Sequence, residues 1–157
     1  GIEQIKGAFL LSFVTSMLFK FGYSQKSVDI IRDYWGEMLK RGATTWWETF
    51  DRSSPSTTIP YCFAGNSPTY LIDYIPSSHC HAWGSGPAYT LLQYVLGVSP
   101  EDTEFRKIRL LPVRTDLQWC EGKIPTKFGV IHIKWVKDDK GSLVYKILDI
   151  PKEIQML

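Results

Sequence analysis

Hydrophobic positions follow two different periods along this chain, helical in its first part and strand-like in its last part. In residues 25–40, Val28, Ile31 and Trp35 recur at helical spacing while charged residues take the opposite side. In residues 131–135, apolar and polar residues alternate strictly, as they do along a half-buried strand. The pattern therefore predicts an α+β chain with its helices first.

The helical part is predicted to begin with two antiparallel helices, 2–21 and 25–40. The first is apolar on nearly every side, but its apolar run is shorter than a membrane span requires and contains hydroxyl residues. Such a helix is packed by other helices on most sides, so we expect it to come from the interior of a larger helical array. Gly22 is a candidate C′ residue, Ser24 is a candidate N-cap, and Gly42 ends the second helix.

The middle of the chain loses its periodicity. Residues 51–78 are rich in Ser, Pro and Gly but contain several aromatic residues, so we expect an ordered loop with one helical turn near 69–74. A third helix is predicted over 87–96, with Gly97 at its end. Residues 98–100 are interpreted as a link.

The last part of the chain is predicted to form an incomplete antiparallel β unit. Its strands fall at 106–112, 117–120, 127–137 and 142–150, with a hairpin turn at 138–141. We therefore place one domain at 1–98 and a second at 104–157. Four strands are few for a free-standing sandwich, so the second domain is expected to be part of one.

Composition narrows the function classes. Aromatic residues make up 14% of the chain, which favours a binding cleft or large buried interfaces. The formal net charge of +2 gives no bulk attraction for nucleic acid or an anionic membrane surface. Three widely spaced cysteines argue against a disulfide framework, and no signal peptide is visible, so the compartment stays undecided.

Two polar clusters contain the residues that could bind or react with a substrate. Trp46 and Trp47 directly precede Glu48, and flat indole faces beside a carboxylate suit a sugar ring. His79 and His81 lie in the second cluster, followed by Trp83. On the first cluster alone, a helix-to-loop junction with core tryptophans and a solvated glutamate is the commoner explanation.

Other roles for these residue types are less favoured. Adjacent Cys80 and His81 do not have the ligand spacing of structural zinc sites, and neighbouring side chains in extended backbone point apart, which disfavours a thiol nucleophile. No metal or cofactor is predicted. His132 is expected on the solvent face of its strand. Asp51 could be a second acid near Glu48, but a turn-capping role is favoured for it.

Six motifs occur in order along the chain. They are Gly-Ala-Thr-Thr-Trp-Trp-Glu at 42–48, Ser-His-Cys-His-Ala-Trp-Gly-Ser-Gly-Pro at 78–87, Tyr-Val-Leu-Gly-Val-Ser-Pro at 94–100, Ile-Arg-Leu-Leu-Pro at 108–112, Leu-Gln-Trp-Cys-Glu-Gly-Lys-Ile-Pro-Thr at 117–126 and Gly-Val-Ile at 129–131. This succession resembles the C-terminal portion of bacterial α-L-rhamnosidases, which are inverting glycoside hydrolases. The resemblance covers nearly the whole chain from about Gly22 onward. It implies the last helices of an (α/α)6 barrel followed by part of a β-sandwich.

The resemblance also implies roles for single residues. Glu48 matches the general base that activates water, and His81 matches a histidine that binds the sugar and steadies the base. Trp46, Trp47 and Trp83 match pocket-wall residues. Because the loop before the second cluster is longer than in many family members, His79 stays an alternative to His81. The expected partner is a rhamnose-containing oligosaccharide or glycoside, and the general acid is expected outside this chain.

Two alternatives stay open from the sequence. The chain could form a non-catalytic carbohydrate-binding or packing module, or part of another (α/α)6-barrel enzyme such as a disaccharide phosphorylase. In either case the apolar flank of the first helix, residues 9–21, lacks the neighbours that would cover it, so we expect self-association through that helix.

Overall fold

The structure is a computed structural model that describes residues 5–49 and 78–157. The chain divides into two compact units, Gly1–Pro87 and Ala88–Leu157. The helical turn predicted at 69–74 and nearly all of the predicted loop 51–78 lie outside the described residues. The α+β composition is confirmed, whereas our division of the chain near 98–104 stays a prediction.

Two helices dominate the described part of the first unit. Helix α1 spans Ala8–Lys20 and helix α2 spans Ser24–Lys40. Helix α1 starts later than predicted, because residues 5–7 are not helical. Our N-cap assignment was also wrong: Tyr23 occupies the cap position and makes no side-chain cap bond, and Ser24 is the buried first residue of the helix.

Both helices end in the same hydrogen-bonded motif. Gly22 and Gly42 adopt positive φ angles of 83° and 87°, a conformation that glycine reaches at little steric cost. After α1, the Gly22 and Tyr23 amides donate to carbonyls of the last turn at 3.1 and 2.8 Å. Matching bonds of 3.0 Å follow α2, so each helix ends in a Schellman motif. The predicted helix ends at Gly22 and Gly42 are confirmed.

Helices α1 and α2 pack against each other and bury small hydroxyl residues as well as large apolar ones. Thr15 and Ser27 are fully buried, and the Ser27 hydroxyl donates to the Thr15 carbonyl at 2.9 Å, which satisfies a buried polar group. On α2 the buried side chains recur at helical spacing: Val28, Ile31, Tyr34, Trp35 and Met38. The opposite flank of α1 remains apolar and exposed. No helix in the described ranges is both long and apolar enough to cross a membrane.

The third helix is shorter than predicted and changes its winding. Helix α3 spans Gly86–Thr90 and is followed directly by a π-helical turn, Leu91–Val95. The sequence predicted one regular helix over 87–96, and its apolar spacing did not distinguish the two windings. Gly97 ends the π turn at a positive φ of 86°, as predicted.

The second unit contains two three-stranded sheets. In the first, β1 (Val98–Pro100) pairs antiparallel with β2 (Lys107–Leu110), which also pairs with β6 (Gln155–Met156) in parallel. Our interpretation of 98–100 as a link was therefore wrong, since its backbone completes this sheet. The parallel pair also departs from the wholly antiparallel unit that we expected.

The second sheet is an antiparallel meander of β3 (Trp119–Thr126), β4 (Gly129–Lys137) and β5 (Leu143–Asp149). The predicted hairpin turn is present: the Asp138 amide donates to the Ser142 carbonyl, and the Asp138 carboxylate accepts from the Lys140 and Ser142 amides. On β4, alternate residues point inward, as the strict alternation predicted. The core of this unit contains Leu96, Val98, Ile108, Ile124, Ile131, Ile133 and Ile154.

Candidate active site

The chain around Glu48 is attached to the start of α1. The Ala8 amide has no partner within the helix, and it donates instead to the Glu48 carbonyl at 3.1 Å. Gly7 and Thr49 form an isolated antiparallel bridge beside it. These bonds fix the backbone of Glu48 against a regular element, which is the usual way in which a loop residue is held for function.

The two polar clusters identified in the sequence lie side by side. The Glu48 amide donates to the Ser78 carbonyl, and the His81 amide donates to the Trp46 carbonyl, each at 2.8 Å. The Thr45 hydroxyl donates to the His79 carbonyl. Segments 45–48 and 78–81 are therefore joined along their lengths although a long stretch of chain separates them in sequence.

The carboxylate of Glu48 takes part in this junction. The Ser78 amide donates to Glu48 Oε2 at 3.0 Å, and the side chain is half-buried. An amide donor complements a carboxylate anion and fixes the orientation of its oxygens. The arrangement thus holds Glu48 in one position at the edge of solvent.

Each candidate histidine has its own aromatic partner. The His79 ring is stacked on Trp47, with centroids 5.3 Å apart and an angle of 29° between the planes. The His81 ring meets the edge of Trp83 at 5.8 Å and 75°. Trp47 is buried, so it supports His79 and offers little surface of its own, whereas Trp83 is exposed. Trp46 and both histidines are half-buried.

The turn that carries Trp83 is packed tightly onto the same region. Ala82–Gly84 forms a 3₁₀ turn, and the Gly84 carbonyl accepts from the buried Trp35 indole N–H at 2.7 Å. A Cβ atom at position 84 would lie 3.1 Å from both the Trp46 Cβ and the Trp47 carbonyl oxygen. A side chain at this position would therefore crowd the first cluster, and one of the two segments would have to move by a few tenths of an ångström.

Two contributors to the site were not predicted from the sequence. Ser78 was part of the second cluster, but no role was predicted for it. The group of Ser78 that binds Glu48 is its backbone amide. Every residue type except proline has this group, so the residue type could not indicate the contact. Trp35 was read only as a residue of the apolar face of α2. Its helical spacing did not indicate that its indole N–H donates to the turn Ala82–Gly84.

Three other titratable side chains, His132, Glu121 and Cys120, belong to the second unit. On the outer face of β4, where we expected it, His132 pairs with Glu121 at 2.9 Å, and the pKa of that carboxyl is lowered by this hydrogen bond and by one from Lys134. Burial raises the pKa of the Cys120 thiol, which disfavours its thiolate form. Within the described residues, no group of three or more His, Cys, Asp or Glu side chains could hold a metal ion.

The chain is similar to known proteins in its three-dimensional structure. No protein-family model and no curated protein matches the sequence. Among solved structures, the GH78 family rhamnosidase of Bacillus sp. GL1 is similar over 97% of this chain, with a TM-score of 0.75 and 30% sequence identity. The resemblance to α-L-rhamnosidases is confirmed.

Two further rhamnosidases share the fold. The α-L-rhamnosidase of Dictyoglumus thermophilum matches 96% of this chain with a TM-score of 0.68 and 20% identity. The Streptomyces avermitilis enzyme, solved as a complex with L-rhamnose, matches 88% with a TM-score of 0.68 and 17% identity. The chain spans 15% of the length of the Bacillus and Dictyoglumus proteins and 13% of the Streptomyces protein. The roles of Glu48, His79, His81, Trp46, Trp47 and Trp83 stay predictions.

Proposed function

We propose that this chain is part of an α-L-rhamnosidase that hydrolyses terminal α-L-rhamnosides with inversion, and that Glu48 is its general base. The observation that carries this proposal is the junction of segments 45–48 and 78–81, with Glu48 Oε2 bound by the Ser78 amide at 3.0 Å. A carboxylate in this setting is oriented and half-exposed, as a base that must bind a water molecule has to be.

Inverting hydrolysis needs two carboxyl groups roughly 6.5–9.5 Å apart, one to protonate the leaving oxygen and one to activate water. In this proposal Glu48 is the second of these groups, and the acid comes from another part of the enzyme. Helices α1 and α2 then belong to an (α/α)6 barrel, and the strands belong to a β-sandwich. The substrate is a rhamnose-containing oligosaccharide or glycoside.

His81 and Trp46 complete the sugar site in this proposal. The His81 backbone is bound to the Trp46 carbonyl, so the two residues move together. An imidazole N–H can donate to a sugar hydroxyl, and an indole face covers the C–H groups of the ring. His79 lies stacked on Trp47, and we assign this pair the role of supporting the wall behind the site.

The proposal is tested by comparing the isolated 157-residue chain with the complete enzyme that contains it. The isolated chain should release no rhamnose from an aryl α-L-rhamnoside, because it lacks the proton donor. The complete enzyme should release β-L-rhamnose first, as seen by proton NMR before mutarotation, at a rate independent of phosphate.

Other results would favour the alternatives. Release of rhamnose by the isolated chain would mean that its acid lies within these residues. A first product with the α configuration would exclude inversion. Phosphate-dependent formation of a sugar phosphate would indicate a phosphorylase, and binding of rhamnosides without turnover would indicate a carbohydrate-binding module.

We also propose that the isolated chain self-associates through the exposed flank of α1. A groove of about 360 Å³ lies on this flank, lined by Phe13, Val14, Met17, Leu18, Phe21 and Tyr23. Contiguous apolar surface of this kind promotes association in water. We expect sedimentation velocity to detect dimers or larger species, and Met17→Lys to shift the population toward monomer.

Leu39→Lys is the matched control, because Leu39 is also an exposed apolar residue but lies on α2 outside the groove. This variant should leave the distribution of species unchanged. If the unmodified chain stays monomeric over the whole accessible concentration range, or if both lysine variants act alike, the groove is not the association surface.

A further inference from the structure

A surface that is partly apolar and partly charged covers the outer face of the second sheet, β3–β4–β5. Residues that lie directly opposite one another on the three strands form two neighbouring rows on this face. The apolar row is Trp119, Val136 and Val144, and the charged row is Glu121, Lys134 and Lys146. The rows lie side by side, because residues two positions apart on a strand point to the same face.

The outer face is the solvent side of this sheet. On the inner face, Ile124, Ile131 and Ile133 share one buried core with Val98 and Ile108 of the other sheet. Strands that complete a larger sandwich would extend the edges of these two sheets. To cover the outer face instead would remove water from a carboxylate and two ammonium groups, which is costly unless each gains a new partner. We therefore expect the outer face to be accessible in the complete enzyme.

The apolar row provides a flat surface for a ring. Trp119 is 60% exposed and Val144 is 51% exposed, although both lie on a face with several charges. Neighbouring strands are about 4.8 Å apart, so the row from β3 to β5 extends over about 10 Å. An indole ring with aliphatic neighbours suits the C–H face of a sugar, whose hydroxyls then point toward polar groups.

The charged row has more positive than negative charge. Lys134 and Lys146 lie directly opposite one another, and like charges in this position repel. Glu121 is held by Lys134 Nζ at 3.2 Å and His132 Nε2 at 2.9 Å, so it offsets only one of the two lysines. A groove of about 390 Å³ lies on this row, with both lysines in its lining. An anionic group in this groove would relieve the repulsion between the two ammonium groups.

We propose that the outer face of β3–β4–β5 binds an acidic oligosaccharide. A sugar ring stacks on Trp119, and a uronate carboxylate accepts hydrogen bonds from Lys134 and Lys146. Glu121 can still accept from sugar hydroxyls, because each carboxylate oxygen has two lone pairs. The same carboxylate repels the closely spaced phosphates of a nucleic-acid strand, which disfavours that ligand. The site lies in the second unit, whereas the residues of the proposed hydrolysis lie in the first.

The experiment measures binding of a short α-1,4-linked oligogalacturonate to the complete enzyme by isothermal titration calorimetry. This probe contains no rhamnose, so its binding does not depend on the proposed hydrolysis. The matched ligand is the same oligosaccharide with every carboxylate methyl-esterified, which keeps the rings and removes the charges. We expect the acid to bind more tightly than the ester, and added salt to weaken binding of the acid.

Two variants test the two rows separately. Trp119→Ala should weaken binding of the acid roughly 2- to 10-fold, whereas Trp119→Phe, which keeps a ring, should lose less. Lys146→Gln should weaken binding of the acid roughly 2- to 5-fold, and Lys146→Arg should retain it. Lys140→Gln is the matched control, because it removes the same charge from the hairpin turn after β4 and not from the outer face. It should leave the affinity unchanged.

Several results would overturn this assignment. They are the absence of oligogalacturonate binding, equal affinities for the acid and the ester, and equal losses in Lys146→Gln and Lys140→Gln. Tighter binding of single-stranded DNA would indicate a nucleic-acid surface instead. Displacement of the oligogalacturonate by excess L-rhamnose would place it at the proposed sugar site. Hydrolysis of a small rhamnoside should be unchanged in Trp119→Ala and Lys146→Gln, so this binding site and the proposed function can fail independently.

Discussion

Replacing Glu48 by glutamine is expected to lower kcat of the proposed rhamnosidase by about 10²- to 10⁴-fold, the usual contribution of a general base. Glutamine keeps the shape of the side chain and can still accept a hydrogen bond from the Ser78 amide, so the junction between the two clusters should survive. It cannot take a proton from water at neutral pH. The loss should therefore appear in kcat, with KM changed little.

The interpretation of this variant depends on two comparisons. Asp29→Asn makes the same carboxylate-to-amide change at an exposed ion pair with Arg32 on α2, and it should leave kcat unchanged. Glu48→Gly leaves space beside the sugar, and added azide, a small anionic nucleophile, should restore turnover in that variant and give a glycosyl azide of inverted configuration. Full activity of Glu48→Gln would remove Glu48 from the chemistry and would favour the binding-module alternative.

The local parts of the fold could be predicted because each is encoded within a few residues. The amphipathic spacing of α2, the glycines at 22 and 42, and the alternation along β4 each satisfy a local requirement of backbone geometry or of one-sided burial. The turn at 138–141 is local in the same way, since the Asp138 side chain binds amides two and four residues ahead.

Features that depend on distant parts of the chain were missed or misread. Strand β1, Val98–Pro100, is too short to have a period, and it exists because β2 supplies its hydrogen-bonding partners. The parallel pairing of β6 with β2 joins residues near the end of the chain to residues some fifty positions earlier. The π turn after α3 uses side chains that fit a regular helix equally well.

In the candidate site, too, the residue types could be predicted from the sequence, whereas the contacts between distant segments could not. Residue types identified Glu48, His79, His81 and Trp83 as candidates, because carboxylate, imidazole and indole groups are chemically distinctive. The contacts that join their segments are mostly between backbone atoms, such as the Glu48 amide and the Ser78 carbonyl. Backbone contacts do not depend on residue type. The sequence could therefore indicate which side chains belong to the site but not how their segments are joined.

Replacing Trp35 by alanine should lower the free energy of unfolding of the first unit by about 3–5 kcal/mol, the range for a large aromatic side chain in a packed core. Trp35 is 1% exposed, packs edge-on against Tyr34 at 5.0 Å, and donates its indole N–H to the Gly84 carbonyl. Urea unfolding followed by helical circular dichroism measures the change. Protein concentration must be held constant, because self-association stabilises by mass action.

Trp35→Phe separates packing from hydrogen bonding. Phenylalanine keeps most of the apolar contact but leaves the Gly84 carbonyl without its donor, at a cost of about 1–3 kcal/mol. Because that carbonyl belongs to the turn carrying Trp83, hydrogen exchange of the Gly84 and His81 amides should quicken more than exchange in the middle of α2. Trp119→Ala, an exposed tryptophan on β3, should change stability by less than about 0.5 kcal/mol. If these two amides exchange in Trp35→Phe at the same rate as in the unmodified chain, the indole N–H does not anchor the turn. The position of Trp83 then depends on the close packing of Gly84 against Trp46 and Trp47.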